Sequence, residues 1–176
     1  MGIDDKGIKS ILNRHSCRNF TGGSIYDGDL NLLLESLRWA PSAGNIQPCF
    51  FYLVKNDEIK KKLAKAAYGQ YFLARAALVF VVCCNPEESA AYYGERGRNL
   101  YCFQDTAAAV ENLLIAATAL GYGSCWIGAF NEEETKKVLN IPNNLRPIAI
   151  VPVGPGILPK RFPGRKPLSR ILKIIE

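Results

Sequence analysis

The sequence predicts an α+β fold, and three observations lead there. Continuous apolar runs at Cys49 to Val54, Ala76 to Cys84 and Leu145 to Val153 have the length and side chains of buried strands. Stretches with apolar residues at helical spacing separate them. No internal repeat and no long linker divides the chain, so residues 1–176 are expected to form a single domain. Its 176 residues can bury a real core, and 48% hydrophobic against 22% charged residues excludes a disordered or low-complexity protein.

Ile8, Ile11 and Leu12 predict a short first helix that ends before the polar run Asn13 to Arg18. A second helix, capped by Asp27, carries Leu30, Leu33, Leu34 and Leu37 at i, i+3, i+4, i+7 and stops before Pro41. After the loop Pro41 to Pro48 comes the strand Cys49 to Val54, and then a lysine-rich helix capped by Asn56 or Asp57 with Ile59, Leu63 and Ala66 inward. The strand Ala76 to Cys84 is stopped by Asn85-Pro86, and the polar stretch from Pro86 to about Asn99 reads as a loop or lid. Leu100 to Leu120 is the longest helix, apolar on most sides and closed by Gly121. Tyr122 to Phe130 forms a short glycine-punctuated strand and turn, and Asn131 with Glu134 makes a capping box for a helix through Leu139. Leu145 to Val153 is the third buried strand, and its Pro147 and Pro152 argue for an edge or for strand ends. The apolar tail Leu168 to Ile175 follows a Pro/Gly-rich link and is expected to dock, with a second subunit as one host.

Met1 to Lys6 is polar, and the longest apolar runs fall well short of the roughly 20 residues of a bilayer helix, so neither a signal peptide nor a membrane span is expected. Lys6 also spoils a myristoylation signal. The six cysteines show no C-x-x-C pair and sit in apolar segments beside a single histidine, which predicts reduced thiols, no metal site and a cytoplasmic protein. Residues 160–176 carry six cations against Glu176 alone, +5 of the formal +6. With only Phe162 for stacking, this tail fits a small anion such as a phosphate, or a solvated segment, better than a nucleic acid.

The dinucleotide and phosphate-loop patterns fail: Gly121-Tyr122-Gly123-Ser124-Cys125-Trp126 ends in Trp where a glycine is required, and no G-x-x-x-x-G-K-[ST] occurs. A histidine-based triad has only His15 to draw on. The basic, hydroxyl-bearing cluster Arg14, His15, Ser16 and Arg18 suits a phosphate and equally a solvated turn. The loop Ser42 to Gln47 carries donors and acceptors fit for the edge of a heterocycle and equally reads as a well-made turn.

Four segments in order are more specific than any one alone. Arg14-His15-Ser16-Cys17-Arg18-Asn19-Phe20, Ala40 to Pro48, Asp105 to Leu114 with Leu120 to Gly128, and Arg165-Lys166-Pro167-Leu168 together resemble the nitroreductase family of FMN-dependent oxidoreductases, from about Ile8 to Ile175. The resemblance implies a three-layer α-β-α fold, with a mixed, mainly antiparallel central sheet between helices, and a homodimer that exchanges its C-terminal segments. It implies that Arg14 and Ser16 hold the FMN phosphate and ribityl chain, with His15 contributing through its backbone or ribityl contacts. Arg18 would reach the N1/O2 side of the ring, where a cation favours the reduced anion. Pro41, Ser42, Ala43, Asn45 and Gln47 would bind FMN from the other subunit. Trp126, Ile127, Gly128 and Ala129 would line one flavin face and offer N–H groups to N5 and O4, and Arg165 with Lys166 would clamp the phosphate. The implied activity is ping-pong hydride transfer from NADH or NADPH through FMN to a small acceptor such as a nitroaromatic or a quinone, without a metal. Flavin destruction, reductive dehalogenation and a non-catalytic flavin carrier are the rival readings. The span between the strand ending at Cys84 and the helix near Leu100 is short for a lid, and Tyr92, Tyr93, Arg96 and Arg98 are either its site-facing residues or exposed loop residues.

Overall fold

In the computed structural model, residues 6–158 and 163–176 are described; Met1 to Asp5, and Lys160, Arg161 and Phe162 of the basic tail, lie outside them. Four strands, β1 (Cys49–Val54), β2 (Leu78–Cys84), β3 (Gly123–Ser124) and β4 (Arg146–Gly154), form one sheet in the order β1-β2-β4-β3. All three pairings are antiparallel, and an isolated parallel bridge joins Ser16 to Ser124. Strand β2 is buried along its whole length, so it has no polar face to alternate with, and its side chains feed two cores.

Val79, Val81 and Cys83 point to one side, where Leu63 and Ala64 of α3 (Asp57–Ala66) pack and Val138 and Leu139 of α6 (Glu132–Leu139) close the layer. Leu78, Phe80 and Val82 point to the other side, against Leu33 and Leu37 of α2 (Asp27–Arg38) and Val110, Leu113 and Leu114 of α5 (Cys102–Ala119). The result is the expected three layers, helices on both faces of the sheet. Helix α1 (Lys6–Asn13) lies outside these layers and packs on α5.

Asparagine starts three of the helices. The side chains of Asn56, Asn85 and Asn131 accept the N–H of Ile59, Glu88 and Glu134, each satisfying one of the donors that a helix start leaves unpaired. Helix α5 ends in a Schellman motif: Tyr122 N–H reaches the Ala117 carbonyl at 2.8 Å and Gly121 N–H the Thr118 carbonyl at 3.1 Å, with Gly121 at φ 81°.

Three expectations are corrected. Residues from Pro86 onward form a helix, α4 (Pro86–Arg96), followed by a π-turn over Gly97–Tyr101; Asn85-Pro86 is an N-cap with proline in the first turn, and Gly94 at φ 54° kinks the helix. Tyr26, not Asp27, occupies the N-cap of α2, without a side-chain bond, and Asp27 and Asp29 instead place negative charge in its first turn. Strand β4 is interior. Its Pro147 lies beside the bulge opposite Val82 and Cys83, and Pro152 turns its donor-less nitrogen toward the Cys125 to Ile127 segment, where pairing is intermittent. Helix α5 buries a single stripe, leaving Ala107, Ala108 and Ile115 half-buried.

Among the described residues, no helix is long and apolar enough to cross a membrane.

Candidate functional site

The first motif is held against the chain's middle by backbone. Cys17 N–H donates to the Ser124 carbonyl at 2.8 Å, and Cys17 is so close to Gly123 that a Cβ there would stand 2.7 Å from its Sγ. Gly123 is therefore needed for close approach, and this contact sets Arg14 to Arg18 alongside Ser124 to Trp126. The electrostatics of Cys125 report the same convergence: burial raises its thiol pKa, while the Arg18 charge, a hydrogen bond with Ser16 and the Arg14 charge pull it back.

Arg14 and His15, with Ile11 and Leu12 of α1, share a cleft of about 390 Å³ with Glu111 of α5 and with Pro163, Gly164 and Arg165. Two guanidiniums from opposite ends of the sequence thus face one cavity. Arg14 sits 3.6 Å from Glu111, and His15 donates from Nδ1 to the Asn13 carbonyl at 2.7 Å. Arg165 reaches only the carbonyls of Pro163 and Gly164 among the described residues, and Arg18 and Lys166 are exposed. Ser124 Oγ is buried without a hydrogen-bond partner among the described residues.

Trp126 stands 36% exposed beside this cluster. Ile127 is buried and exchanges both backbone bonds with Ile150, at 2.9 and 3.0 Å, so it has no N–H to offer to a ligand. By alternation along the segment, Trp126 and Gly128 turn their N–H groups away from β4. Gly128 and Ala129 are exposed, and the Ala129 carbonyl accepts from Gln70 Nε2.

The second cluster is the loop Pro41 to Gln47, and it is tightly tied to itself. Gln47 N–H donates to Ser42 Oγ at 2.9 Å, Asn45 N–H to the Ser42 carbonyl at 3.0 Å, and Gln47 Nε2 to Asn45 Oδ1 at 3.1 Å. Gly44, Asn45 and Gln47 all take left-handed backbone, at φ 56°, 56° and 59°. These bonds leave the Ser42 hydroxyl proton and the Asn45 Nδ2 donors unspent, and the bond from Gln47 Nε2 fixes the direction of the Asn45 amide. Ala43 N–H donates to Asp105 Oδ1 at 3.0 Å, and Tyr93 lies on Gly44 so closely that a Cβ there would meet its hydroxyl at 2.5 Å.

The two clusters lie apart on the same chain. One meets α5 at Glu111 and the other at Asp105, six positions away, which is about 9 Å along the axis and about 120° around it. Of the four residues in the segment from α4 to the π-turn, Tyr92 is exposed and Tyr93 contacts the loop. Arg96 is bound to Tyr101, its Nε donating to the hydroxyl at 2.8 Å, and Arg98 is paired with Glu87 at 2.6 Å, so both cations are engaged within that segment. Sequence reasoning assigned no role to Asp105, Glu111 and Ser124; their roles arise from contacts across the fold, which no local spacing signals.

Known proteins resemble this chain in sequence and fold. The Nitroreductase family model matches residues 11–91 and 64–155 in two overlapping segments. An Archaeoglobus fulgidus protein, provisionally named an NADH dehydrogenase/NAD(P)H nitroreductase, is 38% identical over 152 residues, covering 84% of this chain and 83% of its own length. A Bacillus subtilis FMN reductase (NADPH) is 29% identical over 173 residues, covering 91% of this chain and 68% of its own. The crystal structure of a nitroreductase family protein from Clostridium novyi NT superposes with a TM-score of 0.78 at 32% identity, covering 85% of this chain and 84% of that one. The four motifs, the three-layer fold and these similarities agree, and the chain belongs to the nitroreductase family.

Proposed function

We propose that two copies of this chain bind FMN between them and pass electrons from NADH or NADPH to a small organic acceptor such as a nitroaromatic or a quinone. Family membership and relatives named as NAD(P)H nitroreductase and FMN reductase support an FMN-dependent NAD(P)H oxidoreductase. The observation that carries the reading for this chain is the cleft in which Arg14, His15 and Arg165 meet.

The residues fit the cofactor. Two guanidiniums match a dianionic phosphate, the bare Ser124 Oγ beside Ser16 suits a polyhydroxyl chain, and the unspent donors of Ser42 and Asn45 suit a heterocycle edge. FMN supplies the two-electron chemistry when bound. The protein's part is to hold and orient: Arg14 and Arg165 neutralise the phosphate, Trp126 and Gly128 border the ring, and Arg18 lends positive charge to its N1/O2 side. With FMN held there, NAD(P)H and acceptor would react in turn, a ping-pong order that would call for no catalytic carboxylate pair.

The separation of the clusters along α5 supports a site divided between two copies. In support, the tail residues Ile174 and Ile175 are 74% and 85% exposed, and Ile8, Ile11 and Leu12 of α1 are also uncovered, an apolar surface that a second copy would bury. The six free cysteines, five of them buried, accord with a reducing cytoplasmic setting; burial pushes Cys49 up to about 11 and Cys83 up to about 12.

The test is direct. Purified protein should show a flavin spectrum that denaturation releases as FMN, and the loaded protein should oxidise NADH or NADPH when a quinone or nitroaromatic is supplied. Protein that holds FMN but oxidises neither nucleotide would be a flavin carrier, and protein that takes up no FMN would overturn the proposal.

A further inference from the structure

We propose that Asp105 is the positioning residue of the flavin loop: from the first turn of α5 it accepts the Ala43 N–H and so sets the direction in which Ser42 and Asn45 present their donors. This rests on the reading that the loop contacts FMN.

The loop's other polar contacts are local. Ser42, Asn45 and Gln47 bond to one another, which fixes the loop's shape but not its orientation on the body, and the bond from Ala43 to Asp105 at 3.0 Å supplies that orientation. Beneath the loop lies a cleft of about 190 Å³ lined by Pro41, Ser42, Gln47 and Asp105 over Leu37 and Phe51. A loop spanning a cleft has little packing from below, so the bond to Asp105 carries its placement on the α5 side. On its outer side Tyr93 rests on Gly44, and the loop is clamped between α4 and α5.

The choice of a carboxylate is informative. Asp105 is only 7% exposed, and its Oδ2 is buried without a hydrogen-bond partner among the described residues. Burial raises its pKa and the Ala43 N–H opposes the rise. Among the described residues, the only cation lining the cleft, Arg38, is held by Glu35, and the nearby groups Cys49 and Cys102 are thiols. An asparagine would accept the same N–H without the cost of a buried charge. An ionised carboxylate at this position would give up stability for a stronger, charge-assisted bond to the loop, and the asparagine variant tests that exchange.

That trade yields a test in the full-length protein, reading FMN affinity and the melting temperature of the FMN-free form in parallel. Asp105→Asn should leave the melting temperature unchanged or raised while weakening FMN binding roughly tenfold, the ratio between a charge-assisted and a neutral hydrogen bond. Asp105→Ala should weaken it further. If Asp105→Asn lowers melting temperature and affinity together, the residue serves only the fold and the proposal falls. Ser42→Ala and Asn45→Ala separate the two readings: if they weaken FMN binding while both Asp105 variants bind as wild type, Asp105 does not position the loop. If those two variants also bind as wild type, the loop itself is not a flavin contact.

Discussion

The two ends of the candidate site are built on opposite principles. The cleft around Arg14 and Arg165 is rich in charge and loosely braced: Arg14 leans on one carboxylate at 3.6 Å, and Arg165 bonds to carbonyls of its own segment. The loop Pro41 to Gln47 carries no charge and is over-determined, with three left-handed residues, internal hydrogen bonds and a helix on each side. An arrangement of this kind divides the work of binding. The charged end supplies affinity for an anion wherever it settles within a few ångströms, whereas the neutral end supplies direction and must be rigid before the ligand arrives.

The largest test of that division is to remove the element that would bring the ends together. If the tail joins two copies, deleting residues 168–176 should leave the chain unable to assemble, with both ends lost at once, seen as aggregation in size-exclusion chromatography. A soluble monomer that binds FMN normally would mean that one chain completes the site. Next in size is loss of charge. Arg14→Ala or Arg165→Ala should each weaken FMN binding tenfold to a hundredfold, from a charge-assisted contact of about 1.5 to 3 kcal/mol, measurable by fluorescence quenching. Unchanged affinity in both would remove the phosphate from this cleft.

The ends also differ in how far the sequence reveals them. Asn56 and Asn131 announce their helices because a cap is a local bond, and Cys49 to Val54 reads as a strand because its apolar run is local; its burial is misread, because β1 is an edge strand with only Val54 buried and Phe50 half exposed. Asn85-Pro86 carries the same cap signal, but without a clear apolar period behind it and with Gly94 inside, the segment reads as a loop. The residues of both ends are legible as motifs, and their roles come only with the family resemblance. What stays hidden is what holds them: Asp105 under Ala43, Glu111 beside Arg14 and Tyr93 on Gly44 span 62, 97 and 49 positions of chain. Even the prolines of β4 mislead until the bulge and the gap in pairing are seen.

Rigidity at the neutral end can be probed where space is smallest. Gly44→Ala places a Cβ at φ 56°, a strain of about 1 kcal/mol for alanine, and drives it against the Tyr93 hydroxyl. FMN affinity should fall about fivefold, with little change in global melting. Tyr93→Phe removes the nearest atom and leaves Cζ at 3.4 Å from that Cβ position, so the double variant should recover part of the loss. A coupling of about 0.5 to 1 kcal/mol in the double-mutant cycle would confirm that α4 braces the loop, and strict additivity would place the brace elsewhere.

The smallest effect on affinity belongs to Arg18, which tests whether the charged end acts on the ring as well as on the phosphate. Arg18 is exposed and its charge reaches Cys125, next to Trp126, so it lies near the segment proposed to border the flavin. A cation there stabilises a ring that gains negative charge on reduction and does little for the neutral oxidised ring. Arg18→Ala should therefore lower the midpoint potential of the bound flavin, and Arg18→Lys should keep most of it. Each kcal/mol of lost differential stabilisation is about 22 mV for a two-electron couple. A contact of roughly 1.5 to 3 kcal/mol thus sets a shift of some tens of millivolts, with affinity for the oxidised cofactor changing less than in the Arg14 and Arg165 variants. Potentiometric titration of wild type and Arg18→Ala decides it: an unaltered potential with the cofactor in place would return Arg18 to a solvated turn and confine the charged end to holding the phosphate.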